Sequence, residues 1–546
     1  MKSKYYAIAI SAVMVLAMLV GCGTVKPAPT SAPATAAPAT AAPATAAPAT
    51  AAPATAAPAS SGRYPLIRFA IQGDPGDMNP WNNTPKNYVN TLIYDRLFDW
   101  VDGEYFPVGA KGYTVKDPLH WEVEIYDNIT DWNGNKIAVD DILAAYDDLI
   151  KSGYNVKWFC FGSIEKIDDT HLAFTWAQEP KGLGDLDHIL TVDFYSQKAF
   201  KGANFASAPV GSGVYKLTKY VNGSIIVLEA NDDYWQKDPS KISPLRARNV
   251  QKIEYHVVPE AAQNVVGLTT GALDLSNLIP NENTPDFQAG GKYSDKFNTA
   301  QKYSNHTWFM VGNNTPGKPT ADLNLRLAIF WAIDNVALAN AVGGVIADKG
   351  FSAPTNEDYV PEWDKQVTYV NTVDLTKAKD FLSKSSYKGE KLLMVGSNSE
   401  QAKTALQVMQ TMMDQIGVKV EIKTMEPATL GSLTTKPDAW DLYFADCGGE
   451  FIINMMNRIF NTADYGGEYS LGFVKDPEFL ALFKTAANKD TWNHQTVDAV
   501  YQYALAHAYV YPLFNDFFNT AYIKDITQLY WFDQWYLPNA CTYKTQ

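Results

Sequence analysis

The chain has 546 residues, 46% of them hydrophobic, and carries 45 basic against 59 acidic side chains for a formal net charge of −14. This acidic balance argues against nucleic acid or an anionic membrane surface as a partner and favours a neutral, zwitterionic or cationic ligand. Residues 63–546 have an ordinary globular composition. They are too many for one hydrophobic core, so we expect two lobes.

The chain begins with a segment typical of a signal peptide. Lys2 and Lys4 precede an apolar run at residues 7–20, which is shorter than the roughly 20 residues that span a bilayer. The Leu-Val-Gly before Cys22 resembles the bacterial lipobox, in which the cysteine thiol receives a diacylglycerol. We therefore expect a lipoprotein signal peptide at residues 1–21 and lipidation of Cys22. A plain secretory signal with an incidental cysteine is the alternative.

Residues 22–62 carry a repeated PATAA unit, with proline at every fifth position from Pro33 to Pro58. Alanine, threonine and proline bury too little surface to offset ordering entropy, so the repeat predicts a disordered linker. About forty residues at polyproline-like spacing reach on the order of 120 Å. We expect a protein held by lipid at the extracytoplasmic face of the cell membrane, on a tether that suits a Gram-positive cell surface.

The first part of the globular region is predicted to be rich in strands. Alternating apolar and polar residues predict strands at residues 65–71, 120–126 and 171–178. The Asn222-Gly223 pair predicts a hairpin between strands at 215–220 and 225–228, because both residues tolerate positive φ. One amphipathic helix is predicted at residues 139–150.

Helices and strands alternate in the second part. The periodicity predicts helices at residues 323–341, 374–384 and 399–416 and strands at 391–395, 418–423 and 509–523. This alternation predicts an α/β fold with mixed sheets covered by helices. The last apolar segment returns to strand character, as expected where a chain re-enters its first lobe.

The reactive side chains form few recognisable patterns. Cys160, Cys447 and Cys541 are widely spaced and odd in number, so we expect buried thiols, with one bond from Cys541 to either of the others as the alternative. His256 and His306 are conceivable nickel ligands, although lone histidines in strands are more often structural. The sequence contains no P-loop, dinucleotide-binding glycine motif or GxSxG elbow. We expect no metal, no cofactor and no catalysis.

Two patterns could still indicate a hydrolase. SxxK occurs at residues 163–166 and 385–388, but the companion SDN and KTG triplets are missing, so chance is the better explanation. Glu122 and Glu124 share one face of a predicted strand, as a pair of glycosidase carboxylates could. Solvated surface positions explain them better.

Seven segments carry a resemblance to a known family. They are GDPGDMNPW at 73–81, IYDRLFDW at 93–100, NGNKIAVDDILAAYDDL at 133–149, PVGSGVYKLTKYVNGSIIVLEANDDYW at 209–235, TTGALDL at 269–275, LRLAIFWAID at 325–334 and WDLYFADCGGE at 440–450. In this order they resemble the family 5 extracellular solute-binding proteins, the receptors of dipeptide, oligopeptide and nickel uptake systems.

The resemblance implies a bilobed, periplasmic-binding-protein-like fold of type II, in the large three-subdomain form, with a hinged ligand cleft. The chain would build lobe 1 from residues 63–303, leave it near Lys302, and build lobe 2 from residues 304–511. It would return near Tyr511 and complete lobe 1 with residues 512–546.

The resemblance also implies a ligand site made of two segments. The implied site residues are Gly73, Asp74, Pro75, Gly76, Asp77 and Met78 from lobe 1 and Tyr443, Phe444, Ala445 and Asp446 from lobe 2, with Trp81 and Arg458 as further candidates. Asp446 matches the family's acidic residue that pairs with a ligand ammonium. The alternative is an ordinary aspartate at the end of a strand.

The ligand is left open by one departure from the family. No arginine occurs between Arg326 and Arg458, although binders of very short peptides in this family use one in lobe 2 to hold the ligand carboxylate. A fixed dipeptide length is therefore doubtful, and we expect a monomeric receptor that delivers an oligopeptide to the permease of an ABC importer. The 14 Trp and 31 Tyr, among them Trp100, Trp158 and Trp531, also suit an oligosaccharide. A surface-anchored hydrolase is the third hypothesis for the function.

Overall fold

The computed structural model describes most of the chain beyond the predicted linker. The described residues are 62–76, 78–81, 88–101, 104–152, 160–181, 186, 189–200, 207–343, 345–351, 353–449, 451–462, 470–532 and 535–544. The predicted signal peptide, Cys22 and the PATAA repeat lie outside these residues, as do Asp77 and Trp158.

The first part of the chain is rich in strands, as predicted. Its elements are β1 (Tyr64–Ile71), α1 (Tyr88–Ile93), β2 (Asp95–Arg96), β3 (Phe98–Val101), β4 (Glu104–Pro107), β5 (Ala110–Asp117), β6 (His120–Ile125), α2 (Val139–Lys151), β7 (Phe161–Lys166), β8 (His171–Trp176), β9 (Asp193–Phe194), α3 (Gln197–Phe200), β10 (Tyr215–Val221), β11 (Ile225–Ala230), β12 (Val250–Val257), α4 (Ala261–Thr270), β13 (Leu275–Ser276) and α5 (Thr284–Phe287). The predicted strands at 65–71, 120–126 and 171–178 and the helix at 139–150 are confirmed to within two residues at each end.

The second part alternates helices and strands. Its elements are β14 (Phe297–Gly312), α6 (Leu323–Ala332), α7 (Asn335–Val342), β15 (Val345–Ala347), α8 (Leu375–Lys384), β16 (Leu392–Ser397), α9 (Glu400–Asp414), β17 (Val420–Met425), α10 (Pro427–Gly431), β18 (Leu442–Gly448), α11 (Ile452–Phe460), α12 (Pro477–Ala487), α13 (His494–Ala506), β19 (Tyr511–Ile523), β20 (Ile526–Gln528), β21 (Trp531–Phe532), β22 (Trp535–Tyr536) and β23 (Thr542–Tyr543).

The prediction of one helix at residues 323–341 is wrong. The segment forms two helices, α6 and α7, bent by 57° relative to each other. Ile333 takes extended backbone angles, and the Asp334 carboxylate accepts the Ala337 amide of α7 at 2.9 Å. An aspartate that caps a new helix competes with continuation of the old one. Within the described residues no single helix is long and apolar enough to cross a bilayer, and this bent pair alone meets that length and composition when taken together.

The strands of the first part of the chain form part of a mixed sheet and a smaller antiparallel one. In the mixed sheet β1 pairs in parallel with β12 and β13, and the predicted hairpin of β10 and β11 adds antiparallel strands beside β12. Gly223 in the hairpin turn has φ of 70°, the positive angle expected of it. The second sheet has the order β5-β6-β8-β7. Alternate residues of β6 and β8 are buried, and with β1, β10 and β12 they form what we call the first core.

A second core lies in the later part of the chain. It contains the inner faces of β14, β16 and β18 and of helices α6, α9, α11 and α13. The sheet here has β16 parallel to both β17 and β18. A third, smaller cluster joins α4 and α5 to the other face of the lobe 1 sheet. Cys160, Cys447 and Cys541 are buried thiols and form no disulfide, as predicted.

Two long strands connect the cores. β14 pairs with β19 in an antiparallel ladder from Phe297↔Ile523 to Met310↔Tyr511, and together they join the sheets in the order β10-β11-β12-β1-β13-β19-β14-β18-β16-β17. Phe297 belongs to the third cluster, whereas Met310 lies in the second core. After β19 the chain places Tyr536 and Leu537 in the first core. The ladder shifts register between Tyr303 and Thr307, where β14 advances four residues against two in β19.

Two of the segments that carry the resemblance contribute side chains to a buried ionic network in the first core. The IYDRLFDW segment supplies Asp95 and Asp99, whose carboxylates both lie 2.9 Å from the guanidinium of Arg246. All three side chains are fully buried. Trp235 of the DDYW segment donates its Nε1–H to Asp95 at 2.6 Å. Burial opposes the charge of Arg246, but the two carboxylates outweigh it and raise the pKa of that guanidinium.

Replacing Arg246 by methionine will lower the free energy of unfolding of lobe 1 by about 3–5 kcal/mol, because two buried carboxylates lose their counter-ion. Urea unfolding followed by tryptophan fluorescence measures the loss. Arg248→Met is the matched control, since Arg248 is half-buried and donates to the Asn231 carbonyl at 2.6 Å; we expect it to lose about 1 kcal/mol. Equal losses in the two variants would contradict the role of the network.

Candidate ligand-binding site

The first predicted wall of the site, residues 73–78, follows directly after β1. Gly73, Asp74 and Pro75 are half-buried and Gly76 is exposed, with φ of 93°. Met78 is fully buried, and its carbonyl accepts the Tyr94 hydroxyl at 2.8 Å. The segment is thus anchored at its end by a core side chain, and among its described residues Gly76 is the exposed one.

The carboxylate of Asp74 fastens this segment to the hairpin of β10 and β11. Its Oδ1 accepts the Gly76 amide and the Tyr220 hydroxyl, each at 2.7 Å. Its Oδ2 accepts the Gly223 amide in the hairpin turn. Both carboxylate oxygens therefore already have protein donors, and these hydrogen bonds fix the position of the segment.

Three of the tryptophans singled out from the sequence lie in the described part of the structure, and they pack against the protein itself. The Trp81 ring lies edge-on to Phe200 with 5.6 Å between centroids. Trp100 contacts Tyr105 at 4.7 Å, and Trp531 contacts Tyr536 at 4.7 Å. For these rings packing is the observed role.

The second predicted wall, in β18, is mostly buried. Tyr443 is 5% exposed, and burial, with a smaller contribution from the charge of Asp446, raises the pKa of its hydroxyl to about 12. Phe444 is fully buried and stacks on Trp308 with 5.1 Å between ring centroids. Ala445 is half-buried, whereas the Asp446 side chain is 40% exposed. Asp446 is therefore the polar group of this segment that solvent or a ligand can reach.

Asp446 lies at the point where the chain passes between the cores. Its Oδ2 is 2.9 Å from Nδ1 of His306, in the irregular part of β14. A second carboxylate, Asp516 of β19, is close by, and its Oδ1 accepts the Gln401 amide at 2.9 Å and the Trp308 indole at 3.3 Å. Burial chiefly, and the negative charge of Asp446 in addition, raise the pKa of Asp516. Two carboxylates with one imidazole make this region attractive to a cation.

Sequence reasoning missed this arrangement. His306 drew attention only as a conceivable metal ligand, and Asp516 drew none, because no spacing connects positions 306, 446 and 516. Among the described residues no group of three or more His, Cys, Asp or Glu is placed to hold a metal ion. Arg458 lies in α11, and its side chain is outside the described part of the structure.

The two cores also approach each other away from the crossing strands. The Lys489 amide, between α12 and α13, donates to the Lys181 carbonyl after β8 at 2.6 Å. Lys181 Nζ lies 3.5 Å from Asp490 Oδ2. The ion pair is exposed and contributes little by itself, but the backbone hydrogen bond joins a segment beside the second core to one beside the first.

A cavity of about 600 Å³ opens at the far end of β14. Its lining includes Asn314, Pro437, Phe473 and Tyr509 and is largely apolar. The Asp476 carboxylate beside it accepts the Tyr509 hydroxyl at 2.7 Å and also caps α12. This cavity lies well along β14 from His306 and shares no residue with the predicted walls.

Two lobes joined by a pair of crossing strands, with an acidic group exposed beside the crossing, define a two-lobed ligand-binding protein. The family model of the bacterial extracellular solute-binding proteins, family 5 (Middle), matches residues 104–465. The chain belongs to this family, whose members are receptors for solutes, and the resemblance noted from the sequence is confirmed.

Individual relatives are distant. The chain is 23% identical over 381 residues to the nickel-binding periplasmic protein of Escherichia coli, covering 65% of this chain and 70% of that protein. It is 24% identical over 300 residues to the oligopeptide-binding protein OppA of Bacillus subtilis, covering 52% of this chain and 47% of that protein. The chain thus spans about half the length of that second relative.

Solved structures share the fold over almost their whole length. The oligopeptide-binding protein AppA from Bacillus subtilis, in complex with a nonapeptide, superposes with a TM-score of 0.67 at 16% identity, over 88% of this chain and 99% of that one. NikA from Brucella suis, in complex with Fe(III)-EDTA, gives 0.69 at 17% identity, over 88% and 100%. The predicted bilobed, periplasmic-binding-protein-like α/β fold is confirmed.

Replacing Asp74 by alanine will release the 73–76 segment from the hairpin turn and lower stability by about 1–3 kcal/mol, because three donors lose a charged acceptor. Hydrogen–deuterium exchange will rise in peptides that cover residues 73–78 and 221–224. Asp232→Ala is the control, because Asp232 is 69% exposed and pairs with Arg63 at 2.6 Å outside the turn. Unchanged exchange around Gly223 in the Asp74 variant would count against this role.

Proposed function

We propose that this protein is the extracytoplasmic receptor of an ABC importer, and that it captures an oligopeptide and delivers it to the permease without catalysing a reaction. Membership of a receptor family supports the class. The peptide is supported by relatives named for oligopeptide binding and by the fold shared with AppA in its nonapeptide complex. The observation that carries the proposal is the exposed Asp446 carboxylate beside the crossing strands, since a peptide presents an ammonium at its N-terminus.

Capture would follow from a hinge equilibrium. Lobe 1 would comprise residues 63–303 and 512–546, and lobe 2 residues 304–511, with the crossing of β14 and β19 as the hinge. A ligand that contacts both lobes only when they are closed shifts the population toward the closed form, which the permease then recognises. The irregular ladder between Tyr303 and Thr307 is a natural place for such bending, because a register shift interrupts regular pairing. In this scheme the receptor acts as a monomer.

Three of the residues that suggested a hydrolase, Lys166, Glu122 and Glu124, are engaged in surface ion pairs. Lys166 of the first SxxK segment lies 2.8 Å from Asp169 and 2.9 Å from Asp140. These hydrogen bonds, the one to Asp169 first, raise the pKa of Lys166, so it is a poor base. Glu122 and Glu124 pair with Lys116 and Lys111 at 2.6 and 2.7 Å. These contacts favour the receptor over the hydrolase.

An oligosaccharide receptor of the same family is the second candidate, favoured by the many aromatic side chains. The described tryptophans that we considered for stacking on sugar rings pack instead within the protein, which weakens this alternative. Binding of a peptide library and of cello- and manno-oligosaccharides to the purified protein decides between them. Saturable sugar binding without peptide binding would overturn the peptide assignment.

The Asp446 carboxylate will contribute to peptide affinity through the ligand ammonium. Asp446→Asn should weaken binding of a free N-terminal oligopeptide by at least about 2 kcal/mol in isothermal titration calorimetry, because a charged pair loses one partner. The same peptide with an acetylated N-terminus should bind both proteins alike. Asp414→Asn is the control, because Asp414 is 61% exposed and pairs with Lys419 at the far end of α9. Unchanged affinity would show that Asp446 does not bind the ligand ammonium and is an ordinary aspartate at the end of a strand.

We also propose that Cys22 carries a diacylglycerol and palmitate, and that the PATAA linker holds the receptor near its permease at the cell membrane. This proposal is supported by the lipobox resemblance and by the apolar run at residues 7–20, which is too short to span a bilayer. Cys22→Ser should abolish incorporation of labelled palmitate and release the protein into the culture medium. Cys541→Ser, at a buried thiol, should leave labelling intact. Labelling that survives the Cys22 change would refute the anchor.

A further inference from the structure

The imidazole of His306 lies across strand β18. In the ladder of β14 and β18, His306 stands opposite Gly448, and Asp446 is two residues earlier on the same face of β18. A Cβ atom at position 448 would lie 2.3 Å from the ring's Cδ2 and 2.5 Å from its Nε2. Glycine is therefore what leaves room for the ring here. It allows the imidazole to reach along the strand until Nδ1 is 2.9 Å from the Asp446 carboxylate.

The pair faces solvent on one side and a second carboxylate on the other. The side chains of His306 and Asp446 are 22% and 40% exposed. Asp516 contributes attraction for the imidazole and repulsion for Asp446, while Gln401 and Trp308 fix its position. The imidazole therefore contacts the carboxylate that a ligand cation would bind. An ammonium that approaches Asp446 meets the oxygen that His306 already contacts at 2.9 Å, so the two compete for one carboxylate.

His306 also belongs to the irregular part of the crossing ladder. It is the last residue of β14 before pairing with β19 resumes at Thr307, and a second register shift follows between Trp308 and Phe309. Its amide donates to Ser304 Oγ at 3.1 Å, and its carbonyl accepts Asn515 Nδ2 at 3.0 Å. His306 therefore lies where β14 crosses β19, and a displacement of its ring would take place at this crossing.

We propose that His306 is an internal partner of Asp446, which occupies this carboxylate in the empty receptor and is displaced by the ammonium of the ligand. His306 thereby sets how strongly the receptor favours a ligand with a cationic end. Such a ligand must replace the imidazole at Asp446, whereas a ligand without a cationic end leaves the pair in place. The displacement also moves a residue of the hinge when the site is filled. This inference rests on the proposed peptide function.

The test combines two proteins with two ligands. Affinities of a library-selected oligopeptide with a free N-terminus, and of its acetylated form, are measured by calorimetry on the wild type and on His306→Gln. Removing the competitor should tighten the free-amine peptide about two- to fivefold and leave the acetylated peptide unchanged. His256→Gln is the matched control, because His256 makes a similar contact with Glu254 at 3.3 Å and is 30% exposed. It should change neither affinity.

A second variant tests the same competition while keeping the imidazole. In Gly448→Ala the new Cβ pushes the ring away from Asp446, so this variant should also tighten the free-amine peptide, with no further gain when combined with His306→Gln. If His306→Gln does not fold, the peptide affinities of Gly448→Ala alone decide the test. Unchanged or weaker binding of the free-amine peptide in the folded variants, while the wild type binds it, would overturn the displacement alone. If no peptide binds to any of these proteins, the proposed function fails together with this inference.

Discussion

The antiparallel pairing of β14 with β19 is the constraint on which the rest of the structure depends. The two strands lie about two hundred residues apart in the chain, yet their ladder runs from Phe297↔Ile523 to Met310↔Tyr511. Its strands pair with the sheets on both sides. The segment of chain that builds the second core lies between these two strands. Such a pairing carries a large loop-closure cost, which the burial on both faces must offset. Among the described residues these two strands join the sheet of the first core to that of the second.

The segments that reveal the family are largely structural. Asp95 and Asp99 neutralise a fully buried arginine, and Asp74 ties a glycine-rich segment to the hairpin turn at Gly223. Buried charges require partners, because an unpaired one would cost several kcal/mol. These motifs therefore report how lobe 1 is held together. Asp446 differs from them, since it keeps a 40% exposed side chain beside the crossing.

Local structure could be predicted because its signals are short. The hairpin follows from Asn222-Gly223, and α8 begins where Asp374 accepts the amides of Thr376 and Lys377. The failure at residues 323–341 has the same local origin, since the Asp334 cap could be read equally as an interior residue of an apolar helix. The site was predicted less well. Asp446 emerged from the resemblance, whereas His306 and Asp516 could not, because their proximity depends on the register of β14 with two neighbours.

By itself the sequence predicted a signal segment and a linker, most of the order of strands and helices, a two-lobed fold, and the family through its ordered motifs. Each depends on composition, periodicity or contiguous residues, which the chain carries without folding. Only the tertiary structure decided which charged side chains have protein partners and which are accessible to solvent. It gave Asp74 and Asp95 hydrogen-bond donors within the protein. It also placed the His306 ring over Gly448, within 2.9 Å of Asp446. Those outcomes depend on distances between residues far apart in sequence, which are set by strand register and burial.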